Sequence, residues 1–150
     1  MANERPDKDS YYLDIAFAVS KRSTCLKRHY GCVIVKDDAI VATGYNGSPR
    51  GAENCCDRGE CKRKSAERYT SYEKCDSVHA EQNALITVGR DKLIGSTVYL
   101  ACDEYQDRFL FTGSPEWFED ANPIPCPICA RMLKNSGVIR VVNRRGEVCL

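Results

Sequence analysis

Two stretches decide how this sequence reads: Pro125-Cys126-Pro127-Ile128-Cys129-Ala130-Arg131-Met132-Leu133 and, earlier in the chain, His79-Ala80-Glu81-Gln82-Asn83-Ala84. Pro127 near a first turn and Gly137 as a stop predict a helix over Pro127–Asn135. Ala80, Ala84, Leu85 and Val88 fall on one side of a second predicted helix over His79–Val88. With 10 cysteines in the chain, a lone C-x-x-C is expected by accident about 0.7 times. Requiring H-x-E as well, and proline directly before the first cysteine, lowers the joint expectation to roughly 0.003. The conjunction carries information that neither piece has alone.

The chemistry explains the association. Two thiolates and one imidazole leave a tetrahedral zinc ion with one open position, the pattern of a catalytic site. Cys126 and Cys129, three apart in a first helical turn, face the same way. The positive end of their helix favours both thiolates. Zinc with two thiolates and a neutral imidazole has no net charge. It is therefore a weaker Lewis acid than an all-histidine site and needs a nearby base, for which Glu81 is the candidate. Residues two apart on a helix diverge by about 200°, so His79 and Glu81 converge only if His79 sits at the helix mouth.

The rest of the chain sets the class. Its 150 residues favour one domain, 1–150. Lys plus Arg number 22 and Asp plus Glu 21, a net charge of +1 that disfavours a nucleic-acid partner. Mean hydropathy is −0.45 and no apolar run reaches membrane-spanning length. The polar start MANERPDKDS does not read as a signal peptide, so the expected location is cytoplasmic. In that reducing setting a cysteine surplus points to metal ligands rather than disulfides.

Asp9 or Ser10 is the expected cap of a first helix, Tyr11–Lys21, with Tyr12 and Phe17 in the core. Cys32–Val35 and Ile40–Tyr45 read as a hairpin turning at Asp37-Asp38. Gly51–Asp76 reads as an irregular excursion, and Asp103–Pro123 as another, carrying Tyr105, Phe109, Phe111, Trp117 and Phe118. Thr97–Ala101 and Val138–Val142 are further strands, with a short last one after Arg144-Arg145-Gly146. The order α-β-β-α-β-α-β-β fits a layered α/β domain around one sheet. The short link Asn143–Gly146 requires the last two strands to be antiparallel.

The sequence resembles the zinc-dependent cytidine deaminase superfamily, whose signature is H-x-E followed by P-C-x-x-C. Within it the chain is most similar to the deoxycytidylate (dCMP) deaminases, through RSTC at Arg22–Cys25, GCVIV at Gly31–Val35, TGYNGSPRG at Thr43–Gly51, HAEQNA at His79–Ala84 and PCPICARML at Pro125–Leu133. The resemblance implies a three-layer α/β/α fold with a five-stranded mixed sheet. It implies one catalytic zinc on His79, Cys126 and Cys129 and hydrolytic deamination of dCMP to dUMP and ammonia. Glu81 would take the proton of the attacking water and return it to the ring and the leaving amine. Asn46 matches a sugar-binding asparagine, and Ala80 the position facing the exocyclic amine. A homo-oligomer, activation by dCTP and inhibition by dTTP also follow from the likeness. Some relatives carry a second, structural zinc, for which Cys25, Cys56, Cys61 and Cys75 are candidates, with Cys55 as alternative to Cys56; buried free thiols are the plainer reading.

Two departures stand out: Asp103–Pro123 intervenes where relatives run almost directly into P-C-x-x-C, and the chain ends soon after the fourth strand. The Asp103–Pro123 aromatics either close over a substrate, make a subunit contact or pack as an ordinary loop. Arg58, Lys62, Arg63, Lys64 and Arg68 read first as a solvated face, and His29 as a surface histidine. Arg22 and Arg50 adjoin the family motifs and are the better phosphate candidates. Two alternatives remain at this level: a tRNA adenosine deaminase, or another cytosine-nucleoside deaminase, with the same chemistry, and a non-catalytic zinc-binding module, against which the retained Glu81 argues.

Overall fold

Asp37 and Asp38 have φ of 51° and 59°, the left-handed pair that a two-residue hairpin turn needs to match strand twist. They join β1 (Arg28–Lys36) to β2 (Ala39–Tyr45), with Lys36 opposite Ala39. In this computed structural model, which describes residues 4–67, 70–106 and 116–150, β1 also pairs antiparallel with β3 (Thr97–Gln106). β5 (Arg140–Asn143) runs parallel to β3, and β6 (Gly146–Val148) antiparallel to β5. The sheet order is β2-β1-β3-β5-β6, with β4 (Glu116–Asp120) paired to the outer half of β3. The antiparallel last pair required by the short link is present.

β1 is buried through Gly31–Val35 because both sheet faces are covered. On one face α1 (Lys8–Ser20) lays Tyr12, Leu13 and Ala16 against Val33, Val35, Tyr99 and Val142. On the other, α3 (Ala80–Leu85), α4 (Arg90–Leu93) and α5 (Pro127–Asn135) enclose Cys32, Ile34, Val98 and Leu100 with Ala84, Leu93 and Leu133. These are the three layers, α/β/α. A short α2 (Cys55–Arg58) and a 3-10 turn at Tyr72–Lys74 lie in the excursion between β2 and α3.

Glycine sets one spacing that the site depends on. A Cβ on Gly44 would stand 2.3 Å from Ala80 O and 2.5 Å from Ala84 N, both backbone atoms of α3. Gly44→Ala is therefore expected to cost about 1–3 kcal/mol and to lower Tm by roughly 3–10 °C in a domain of this size. Thermal denaturation checks this, and an unchanged Tm would contradict the close contact of β2 with α3.

The structure corrects several boundaries. α1 begins at Lys8 because Asp7, not Asp9 or Ser10, is its cap, accepting from Ser10 N at 2.8 Å. Asp9 instead receives both Arg140 terminal nitrogens, at 2.9 and 2.6 Å, and the Tyr99 hydroxyl at 2.8 Å. The helix expected over His79–Val88 stops at Leu85, and Gly89 is the N-cap of the separate α4. The strand expected to end at Ala101 continues to Gln106, and part of the presumed irregular stretch is β4, a sixth strand. That pairing sets Phe118 opposite Glu104 and Asp120 opposite Cys102, a long-range ladder that local propensity does not encode. Phe109 and Phe111 lie outside the described residues, as does Arg68. Among the described residues, no helix is long and apolar enough to cross a membrane.

Candidate active site

α3 and α5 lie on the same sheet face and begin beside one another. His79 is the N-cap of α3, where its backbone is extended (φ −72°, ψ 154°) rather than helical. Its N–H donates to Gln82 Oε1 at 2.9 Å and its carbonyl accepts from Asn83 N at 2.9 Å. That cap position lets His79 and Glu81 turn toward one place. Cys126 is the N-cap of α5, and its sulfur accepts from Cys129 N at 3.4 Å. His79 Nδ1 lies 3.5 Å from Cys126 Sγ and 3.4 Å from Cys129 Sγ. Among the described residues, these three form the group whose ligand atoms lie within 4.8 Å of one another.

The protonation pattern follows from the crowding. The Cys129 thiol donates to Cys126, whose sulfur is held far down, to about 4, by that bond and by the adjacent imidazole. Cys129 is pushed far up by the thiolate beside it. His79 is raised by its bond with Cys126. Glu81 is 4% exposed, and burial pushes its carboxyl above the ordinary range. A carboxyl so placed holds a proton more readily than one in water, as a proton shuttle must.

His79, Glu81 and Cys126 share a cavity with Asn46 and Ala80. Asn46 is buried, donating through Nδ2 to Arg28 O at 3.0 Å and accepting at Oδ1 from Tyr30 N at 2.8 Å. One amide hydrogen remains for a ligand. Arg22 and Arg50 line a different hollow, beside Thr24 and Ser48 under β2. Cys25, Cys61 and Cys75 line the His79 cavity, yet Cys25, Cys56, Cys61 and Cys75 do not make a close ligand group of the His79 kind. Cys56 is exposed beside Asp57, whereas Cys55 is half-buried and receives Arg58. The thiol of Cys25 is raised chiefly by burial, with smaller contributions from Cys75 and Cys55.

Sequence reasoning set Arg63 aside with the solvated basic residues, but it lines the cavity with Lys27 and Arg28. Arg58 and Lys62 do face acids, Glu53 and Asp76. The signal available for Arg63 was its position between Cys61 and Tyr72, both of which also face the site. His29 is half-buried, its ring stacked on Trp117 at 3.8 Å between centroids.

The sequence profile described as the cytidine and deoxycytidylate deaminase zinc-binding region matches residues 6–144. The chain belongs to that family. A deoxycytidylate deaminase of Schizosaccharomyces pombe is 45% identical over 101 residues, 66% of this chain and 31% of the relative. One from Saccharomyces cerevisiae is 36% identical over 138 residues, 92% and 38% of the two chains. One from Mycobacterium phage D29 is 36% identical over 145 residues, 92% and 94%. The chain thus spans about a third of the length of the two yeast relatives and nearly all of the phage one. The crystal structure of a dCMP deaminase from cyanophage S-TIM5, in complex with dCMP and dUMP, superposes with a TM-score of 0.60 at 26% identity, covering 93% of this chain and 82% of that one.

The donor set fits the zinc that names the family region. Ligands at ordinary Zn–N and Zn–S lengths around a tetrahedral ion stand about 3.6 Å apart. The two sulfur-to-nitrogen separations here, 3.5 and 3.4 Å, have that spacing. The holders would be His79 Nδ1 and the sulfurs of Cys126 and Cys129.

Proposed function

We propose that this chain hydrolyses the amino group of dCMP, giving dUMP and ammonia. The observation that carries the reading is the convergence of His79, Cys126 and Cys129 at the mouths of two helices, with buried Glu81 in the same cavity. The phage relative covered along nearly its whole length is named for this activity, and the S-TIM5 enzyme holds both dCMP and dUMP.

His79, Cys126 and Cys129 would hold the zinc, which when bound would supply Lewis acidity and so make water easier to deprotonate. Glu81 does the proton work. Its carboxylate takes a proton from the attacking water and delivers it to ring N3 as the new C–O bond forms at C4. It then carries the remaining hydroxyl proton to the amine nitrogen, so the C–N bond breaks with ammonia as leaving group. N3–H and the C4 carbonyl of uracil remain, and the atoms balance with one water consumed. Asn46 offers its remaining amide hydrogen to the sugar hydroxyl, and the small Ala80 leaves its backbone accessible to the exocyclic amine.

An ammonia-release panel over cytosine, deoxycytidine, cytidine, dCMP and dCTP tests the reading. Fastest turnover is expected on dCMP; release from adenosine in tRNA but from none of these compounds would replace it with the RNA-directed alternative. The same reading carries a homo-oligomer, dCTP and dTTP as effectors, and Arg22 and Arg50 as phosphate contacts away from the His79 cavity. A second zinc on the excursion would take Cys25, Cys61 and Cys75 with Cys56 or Cys55; half-buried Cys55 is the better placed of the two.

A further inference from the structure

We propose that Arg63, delivered by the excursion between β2 and α3, is the residue that selects a substrate bearing a 5′-phosphate; the proposal rests on the deaminase reading above and names what that site discriminates. Arg63 lines the cavity that holds His79 and Glu81. Its guanidinium lies over the Tyr72 ring, 5.2 Å from the centroid, and that ring is 5.6 Å from the His79 imidazole. The cation therefore stands one aromatic ring away from the reacting end of the cavity.

Its bonding is incomplete in a way that points to a ligand. Arg63 donates through one terminal nitrogen to the carbonyls of Glu67 and Thr70. Its Nε is buried and has no hydrogen-bond partner. Buried donors are rarely left unpaired, and a phosphate oxygen held in the cavity that Arg63 lines would supply the missing acceptor. The neighbouring cations are already engaged. Lys27 Nζ bonds the carbonyls of Arg63 at 2.7 Å and Lys64 at 3.1 Å. Arg28 is held by Glu104 Oε1 through two nitrogens, at 3.1 and 2.7 Å. Lys27 is thus a positioning residue for the backbone at Arg63. A guanidinium presents a planar fork matched to phosphate oxygens, which an ammonium does not.

The test compares kcat/KM for dCMP and deoxycytidine in the wild type, Arg63→Gln and Arg63→Lys. Wild type is expected to favour dCMP strongly. Arg63→Gln is expected to lose about 100-fold on dCMP and to stay within about twofold on deoxycytidine, the internal check that the variant is folded; Arg63→Lys falls between. Equal losses on both substrates, or no loss on dCMP, would overturn the assignment. If the glutamine variant does not fold, inhibition of the wild type decides: dUMP should inhibit at least about tenfold more tightly than deoxyuridine, and equal inhibition overturns the proposal. Wild type that deaminates no cytosine compound sinks the deaminase reading itself, whereas wild type that treats dCMP and deoxycytidine alike leaves the deamination chemistry standing and sinks the role of Arg63 together with the preference for dCMP.

Discussion

Glu81→Gln is expected to lower kcat on dCMP by at least about 1,000-fold, at the upper end of what general acid–base groups contribute, because in the proposed mechanism the same carboxyl moves a proton twice in each turnover. An amide of nearly the same shape cannot accept the first proton, so the second transfer fails with it. The variant should nonetheless fold and keep its metal. Glu81 is buried and its environment disfavours the charged form, so a neutral side chain suits the folded state at least as well. Expected measurements are one zinc per chain at the His79 site, dUMP binding near the wild-type level and an unchanged or slightly higher Tm. Rates close to wild type would remove Glu81 from the mechanism. Loss of zinc along with activity would assign Glu81 to holding the site together.

Metal removal should produce the second large effect. A ligand that binds only the folded chain, present at about 1,000 times its Kd, stabilises by about 4 kcal/mol. In a domain of this size that corresponds to a fall in Tm of about 10 °C on chelation, with activity lost and restored by added zinc. Cys129→Ala should reproduce both losses without chelator and resist rescue. The pH dependence has a definite sign. Without metal, Cys129 retains its proton because the Cys126 thiolate beside it raises its affinity for one. Binding must release that proton, so zinc affinity falls as pH falls, about tenfold per unit for each proton released. Titration with a competing chelator at several pH values checks this. A flat profile would mean that both sulfurs are already ionised in the metal-free protein.

The sequence made some features plain because their physics is local. Asp37-Asp38 between two β-rich runs marks a tight turn, and Pro127 with Gly137 brackets α5. The helix-mouth position of His79 followed from angular arithmetic and agrees with its N-cap geometry. What stayed hidden depends on distant partners. Glu116-Trp117-Phe118-Glu119-Asp120, with three acids in five residues, has little strand propensity of its own; it becomes β4 because β3 offers a free edge beyond β5. Asp9 resembled a helix cap until Arg140, from the far end of the chain, claimed its carboxylate. Arg63 looked like one more surface cation, because its place between Cys61 and Tyr72 becomes a signal only once both of those residues are seen to face the His79 cavity.

Glu81 and the sulfurs of Cys126 and Cys129 sit at the starts of helices backed by the sheet, whereas Cys61, Arg63, Tyr72 and Cys75 reach the cavity from the excursion between β2 and α3. On the proposed reading the scaffold thereby separates what the pocket does from what it admits. Exchanging the excursion as a cassette is then expected to retune the accepted sugar substituent while leaving Glu81, His79, Cys126 and Cys129 in place.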